Sequence, residues 1–223
     1  MDVEAVRARI AQAAARSGRT AEAVQVVAVT KGHPIERVRD AVALGFTDLG
    51  ENRVQEALAK REAWPDAPVR WHLIGHLQRN KARLAVGRFA LIHSLDSIRL
   101  ADALELEAAR RNLVQDALVE VNVAREPQKS GAMPEEAEQI VAHAATLPHL
   151  RVNGLMTMAP LTDDAAVIRR TFAGLRELKE RLPAPGAPLT ELSMGMSNDF
   201  EIAIEEGATM VRLGTVLFGE RKP

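Results

Sequence analysis

Cysteine and tyrosine are absent from this 223-residue chain, and aromatic residues make up only 3 % of it. Without cysteine there is no disulfide framework, no zinc–thiolate or iron–sulfur site and no thiol nucleophile. Without tyrosine no phenol can act as acid or base. Zero cysteine suits any redox compartment. An excess of one charge is lacking too. The 29 basic and 30 acidic residues leave a net charge of −1, so no positive field draws the chain to nucleic acid or acidic membranes. No apolar run approaches the ~20 residues of a membrane span. The opening MDVEAVRARIAQAAARSGRT has the pattern of a charged amphipathic helix, not of a signal peptide. These absences predict a cytoplasmic protein with neither nucleic acid nor membrane as partner.

What is present is ordinary for a globular chain, with 47 % hydrophobic and 26 % charged residues. Short apolar runs rich in β-branched residues recur at Val24–Thr30, Phe46–Glu51, Arg70–Gly75, Leu91–Leu95, Ala117–Val123, Val152–Met158, Leu189–Gly195 and Met210–Phe218. Most lack clean alternation, as expected of parallel strands covered on both faces.

Helical patterns separate them. Pro34 opens one whose face carries Ile35, Val38 and Val42, with Gly45 past its end. Pro134, Glu135 and Glu136 open another, the two carboxylates compensating the helix dipole. Ile168, Phe172, Leu175 and Leu182 mark a third. Asn198–Glu206, Asn52–Ala63, His76–Gly87 and Asp96–Asn112 also read as helices. With strand starts 21 to 37 residues apart, the pattern predicts a single-domain (β/α)8 TIM barrel over residues 1–223, preceded by an extra N-terminal helix. A doubly wound open sheet is the alternative. The polar stretch Ala124–Met133 is the longest connection and reads as mobile or functional.

Barrel chemistry sits at the C-terminal ends of the strands. Lys31 is the only one of six lysines that directly follows an apolar strand. Partial desolvation lowers an amine's pKa and lets it attack carbonyls. On this feature alone, a lysine snorkelling at a strand end is the simpler reading. After strand 7, Ser197 and Asn198 are both helix N-cap types, and Asn198 with Glu201 resembles a capping box that would leave the Ser197 hydroxyl free. Strand 8 carries Arg212-Leu213-Gly214-Thr215. Phosphate binds at the loops after strands 7 and 8 in many barrels. Ser197, Asn198, Gly214 and Thr215 fit that site, against the plain alternative of capping and packing.

His72 and His76 have i, i+4 spacing, but Leu73 stands where a zinc-protease motif needs glutamate and Gly75 ends a strand, so no zinc site is expected. Each reads as a hydrogen-bonded residue near the mouth. His33, His93, His143 and His149 show no ligand spacing. Met156, Met158, Met194 and Met196 read as core, though a methionine at the mouth could pack on a flat ring.

The segments AVTKGHP, DLGENRVQEAL, RWHLIGHLQRNKAR, VEVNVAREPQKSG, VNGLMTM and ELSMGMSNDFEIAIEEGATMVRLGTVLFGER together resemble the pyridoxal phosphate homeostasis family, formerly the proline synthetase co-transcribed homologues. The likeness covers essentially the whole chain, with His33 a departure from many members. It implies the barrel of the alanine racemases, the fold-type III class. It also implies pyridoxal 5′-phosphate (PLP) as cofactor, held as an aldimine by Lys31. Ser197, Gly214 and Thr215 would hold the phosphate, Arg212 would face the pyridine nitrogen, and Asn52 and Met156 would line the ring. Lys129 could offer a second amine.

The function implied is vitamin B6 homeostasis without substantial turnover, with PLP-dependent apoenzymes as recipients and a monomer as the default state. An amino-acid racemase is the alternative. Alanine racemases take their second base from a tyrosine of an added β-domain. This sequence has no tyrosine and no room for that domain, so His72 or a water would have to serve. A Schiff-base aldolase is the third reading.

Overall fold

The computed structural model describes residues 3–183 and 188–219. Eight parallel strands close into a barrel in sequence order: β1 Gln25–Val29, β2 Asp48–Glu51, β3 Arg70–Leu73, β4 Leu91–Leu95, β5 Gln115–Glu120, β6 Leu150–Met156, β7 Glu191–Ser193 and β8 Met210–Leu213. β8 pairs back to β1, with Val27 opposite Arg212 and Ala28 opposite Leu213. The open-sheet alternative is thereby excluded.

Helices lie outside: α1 Val3–Arg16 precedes the first strand, and α2 Ile35–Ala43, α3 Val54–Ala63, α4 Ala82–Ala85, α5 Ile98–Ala109, α6 Pro134–Ala144, α7 Ala165–Arg181, α8 Phe200–Glu205 and α9 Thr215–Phe218 follow strands in turn. The extra helix α1 buries Val3, Val6, Ile10, Ala13 and Ala14. Burial of Val6 and Ile10 contributes roughly 1.5–3 kcal/mol each. Arg9 and Arg16 of α1 pair with Glu201 and Glu205 of α8.

Two expected elements differ. The last strand stops at Leu213, not Phe218. Gly214 turns out of the sheet with φ −118° and ψ −82°, and its carbonyl accepts the N–H groups of Leu217 and Phe218 to start α9. The β-branched pair Thr215-Val216 imitates a strand in sequence, but it sits in this tight turn. The helix expected over His76–Gly87 is reduced to a 3₁₀ turn at Arg79–Lys81 followed by α4, and Gly87 at φ +71° ends it.

Most of the apolar core lies between strands and helices, with Leu49, Leu73, Ile92, Leu155 and Val211 facing outward into it. A separate small cluster of Leu91, Leu118, Met156 and Met210, joined by Met158, fills the barrel interior. Between Ala117 and Leu118 the β5–β6 register slips by one residue at Asn153. Gly154 follows that slip and lies so close to β7 that a Cβ there would stand 2.0 Å from the Glu191 carbonyl oxygen.

Candidate functional site

Strand alternation determines which side chains face inward. Because Leu91, Leu118 and Met210 point into the barrel, so do His93, Glu120 and Arg212, each two residues further toward the same mouth. Parallel strands also bring every C-terminal end to that mouth. Lys31, partly exposed, follows β1 there. Gly214 lies beside β1, since a Cβ on it would be 3.4 Å from the Val29 Cβ.

Ser197 and the segment after β8 are tied together. The Ser197 Oγ accepts the backbone N–H of Gly214 at 3.3 Å and of Val216 at 3.2 Å. Thr215 begins α9 within the same turn. The capping box predicted for Asn198 and Glu201 does not form. The residue before α8 is Asp199, whose Oδ1 accepts the Met196 N–H at 2.5 Å, while Glu201 turns to Arg9. Asp199 itself makes no side-chain cap bond to α8. Asn52, half-buried, packs its backbone against Gly75, where a Cβ would stand 2.4 Å from the Asn52 carbonyl oxygen. Met156 belongs to the interior cluster just below the mouth and is 1 % exposed.

Arg212 is the most strongly constrained of these side chains. Its Nη1 donates to Ser193 Oγ at 2.7 Å and its Nη2 to the Thr157 carbonyl at 2.9 Å. Burial lowers its pKa to about 10, opposed by Asp199 and Glu120. It remains a cation at neutral pH.

The Lys31 turn is anchored from behind. Lys60 of α3, buried, donates to the Thr30 carbonyl at 2.7 Å, to Glu51 Oε1 at 2.6 Å and to Glu56 Oε1 at 2.9 Å. Thr30 Oγ1 donates to the same Glu51 oxygen, and the Gly32 N–H to Glu56, both at 2.5 Å. Both neighbours of Lys31 are thus clamped by one ammonium and two carboxylates.

Glu120 ends β5 inside the mouth, and its Oε2 is buried without a hydrogen-bond partner among the described residues. Burial, then the charge of Asp96, push its pKa up to about 7, against the pull of Arg212. The folded state therefore holds a proton that the unfolded chain releases near pH 4.5. Glu120 costs stability as pH rises from about 4.5 to about 7, and the cost is constant above that range. Glu120→Gln is expected to stabilise the protein by about 1–3 kcal/mol at pH 8 and to be near neutral at pH 4.5, as read by urea unfolding at both pH values.

A chain of side chains crosses the barrel beneath the mouth. Ser193 Oγ lies 2.9 Å from His93 Nδ1, His93 Nε2 lies 2.9 Å from His72 Nδ1, and His72 Nε2 lies 2.8 Å from Asp48 Oδ1. Arg70, largely exposed, pairs with Asp48. Burial pushes the Asp48 carboxyl up, but the hydrogen bonds from His72 and Arg70 outweigh it and hold the group below its usual range. His72 stands opposite Leu91, below the level of His93, with both ring nitrogens hydrogen-bonded in the interior. His76 faces Asp96 instead, 3.3 Å away. No group of three metal-ligating side chains occurs among the described residues.

Lys129 donates to the Ala159 carbonyl at 2.8 Å and pairs with Glu126. Its loop is held by Asn122, which accepts the Glu126 N–H and donates to the Glu126 carbonyl, and by a bridge between Val121 and Ala132. His93, Ser193, Asp48, Glu120 and Lys60 were not singled out by sequence. The signal for the first four is a polar residue at an inward strand position, legible only once the phase of each strand is known.

The chain matches the alanine racemase N-terminal domain family over residues 1–222. A pyridoxal phosphate homeostasis protein of Aquifex aeolicus is 46 % identical over 215 residues, covering 96 % of this chain and 94 % of the relative. The chain belongs to the pyridoxal phosphate homeostasis family. The member from Pseudomonas aeruginosa is 41 % identical over 99 % of this chain and 94 % of its own. PipY of Synechococcus elongatus PCC7942, solved with PLP bound, superposes with a TM-score of 0.81 at 40 % identity, covering 94 % of this chain and 100 % of PipY. The alanine racemase of Clostridium difficile shares the fold at 15 % identity and a TM-score of 0.76, over 91 % of this chain and 56 % of the racemase. No helix among the described residues is long and apolar enough to cross a membrane.

Proposed function

We propose that this protein binds PLP at the barrel mouth and maintains its free level, without substantial turnover. The observation that carries this reading is the convergence, at the C-terminal ends of β1, β7 and β8, of a clamped lysine turn, a seam of two backbone N–H groups with a hydroxyl, and a fixed guanidinium. The donor set suits the group. A phosphate monoester needs several donors and little apolar contact; the Ser197 hydroxyl would donate its proton, and the Gly214 and Val216 amides, which here point at Ser197 Oγ, would turn to the phosphate beside Thr215. Asn52 and Met156 would line the ring.

Lys31 would hold the cofactor through its Nζ. When bound, PLP supplies a reactive aldehyde carbon and an electron-withdrawing ring. Arg212 would face the pyridine nitrogen and donate to it. A guanidinium cannot readily accept a proton from the ring or share one with it, so Arg212 would leave the ring nitrogen unprotonated and the ring a poorer sink for electrons. That supports a holder of the cofactor more than a catalyst. Relatives named for PLP homeostasis and a PLP-bound relative at 40 % identity support the same reading. We take residues 1–223 to act as one domain and as a monomer in the cytoplasm, delivering PLP to apoenzymes.

Absorbance titration of the purified protein with PLP tests the reading, with a new imine band as the expected result and no band as the failure. Ser197→Ala is expected to raise the Kd about 10- to 100-fold, the equivalent of one hydrogen bond to a charged group at ~1.5–3 kcal/mol, with the band intact at saturation. The racemase alternative has one specific observation in its favour: Glu120, an inward carboxyl titrating near neutral pH. Chiral analysis of alanine and serine incubated with the loaded protein separates the two, since sustained interconversion requires a second base.

A further inference from the structure

We propose that His93 is a positioning residue which, through Ser193, orients the Arg212 guanidinium toward the ring nitrogen of the bound cofactor. The inference rests on the placement of Arg212 proposed above and extends it to the barrel floor. It follows from the proton arithmetic of the chain between Arg212 and Asp48.

Each link has one assignment when every imidazole carries a single N–H. Asp48, ionised and paired with Arg70, can only accept, so His72 Nε2 donates to it. His72 Nδ1 is then bare and accepts from His93 Nε2–H. His93 Nδ1 is bare in turn and accepts the Ser193 hydroxyl proton. The Ser193 oxygen, its proton committed, accepts from Arg212 Nη1. All donors thus point from the cation at the mouth toward the carboxylate at the floor.

A file of hydrogen bonds with one polarity, ending on an anion, strengthens each member in a medium of low dielectric. His93 is 0 % exposed, and burial first of all, with the Arg212 cation adding to it, pushes its pKa well below the usual imidazole value, which keeps it in the single-proton form. Among the described residues, the other anchor of the guanidinium is the Thr157 carbonyl. The remaining charged groups that act on it, Asp199 and Glu120, do so through space. Without His93 the Ser193 hydroxyl can rotate, and one of the two fixed hydrogen bonds of Arg212 loses its orientation.

The test has two parts. Nitrogen-15 NMR of the histidine side chains, in the protein without added PLP, reads the tautomers directly. Nε2–H with bare Nδ1 is expected for both His72 and His93, and Nδ1–H on either overturns the file. In the loaded protein, His93→Leu and Ser193→Ala are each expected to raise the Kd for PLP about tenfold and to shift the nitrogen-15 resonance of labelled pyridine nitrogen. His93→Gln should restore both, because an amide presents an acceptor and a donor at about the spacing of the ring nitrogens. Ser193→Ala keeps the test open if His93→Leu fails to fold. Unchanged affinity and resonance in a folded variant would overturn the proposal while leaving the cofactor reading intact. A wild-type protein that binds no PLP would overturn both.

Discussion

Replacing Lys31 by alanine is expected to abolish the imine absorbance that PLP induces in the wild-type protein and to weaken binding by at least about a hundredfold, roughly 3 kcal/mol. The size of the effect follows from chemistry. Ser197, Gly214, Val216 and Arg212 supply only hydrogen bonds and charge, whereas Lys31 supplies the one amine at the end of β1. Borohydride reduction of the loaded wild-type protein, followed by peptide mass analysis, should place a pyridoxal phosphate adduct on Lys31. A sugar phosphate mass there would instead select the aldolase reading. An adduct on Lys129 alone would move the covalent site to the loop between β5 and α6.

The second large effect is on folding. Lys60→Met should destabilise the protein by about 3–5 kcal/mol in urea or thermal unfolding, because it leaves Glu51 buried without its counter-charge. Glu51 already has a raised pKa: burial pushes it up, and Lys60 and Thr30 partly offset this. With the ammonium gone the pKa rises further. The folded variant then holds a proton that the unfolded chain has lost, so its deficit grows as pH rises above the usual glutamate value and shrinks toward pH 4. Removing both charges in Lys60→Met/Glu51→Leu should recover most of the loss, since an apolar pair of similar volume tolerates the site. The single variant should also bind PLP more weakly, because the Thr30 carbonyl and Glu56 lose the ammonium that clamps the Lys31 turn.

Much of this was legible in sequence because the barrel repeats a simple signal. Each apolar run such as Gln25–Val29 is followed by an amphipathic helix, so both the strand count and the mouth could be read without knowing a contact. Lys31 was legible for the same reason, being the residue that directly follows a strand, whereas Gly214 was marked only as a glycine followed by a hydroxyl residue. Ser197 was marked as carrying a spare hydroxyl, whereas its oxygen is shared between two amides across the seam. The segment Thr215–Phe218 misled because β-branched residues favour strands unless the preceding glycine turns the chain, and that turn is a tertiary fact. His93 and Glu120 were invisible because one-residue alternation inside short, doubly covered strands carries no apolar contrast. Lys60 was invisible for a different reason. A lysine on a helix reads as solvated until Glu51, nine positions earlier, is known to lie beneath it.

The pairing of β8 with β1 has a consequence for how the molecule is held together. Lys31 leaves the first strand and the Gly214–Val216 amides leave the last, so the two halves of the proposed site are separated by most of the sequence and joined only where the cylinder shuts. A ligand gripped by both would act as a clasp across that join. It would close the longest loop in the chain, whose ends are the slowest to find each other during folding. At a hundred times its Kd such a ligand adds about 2.7 kcal/mol to the folded state. The loaded molecule should therefore lose its hydrogen-exchange protection last along β1 and β8, whereas in the empty one this seam is where opening begins.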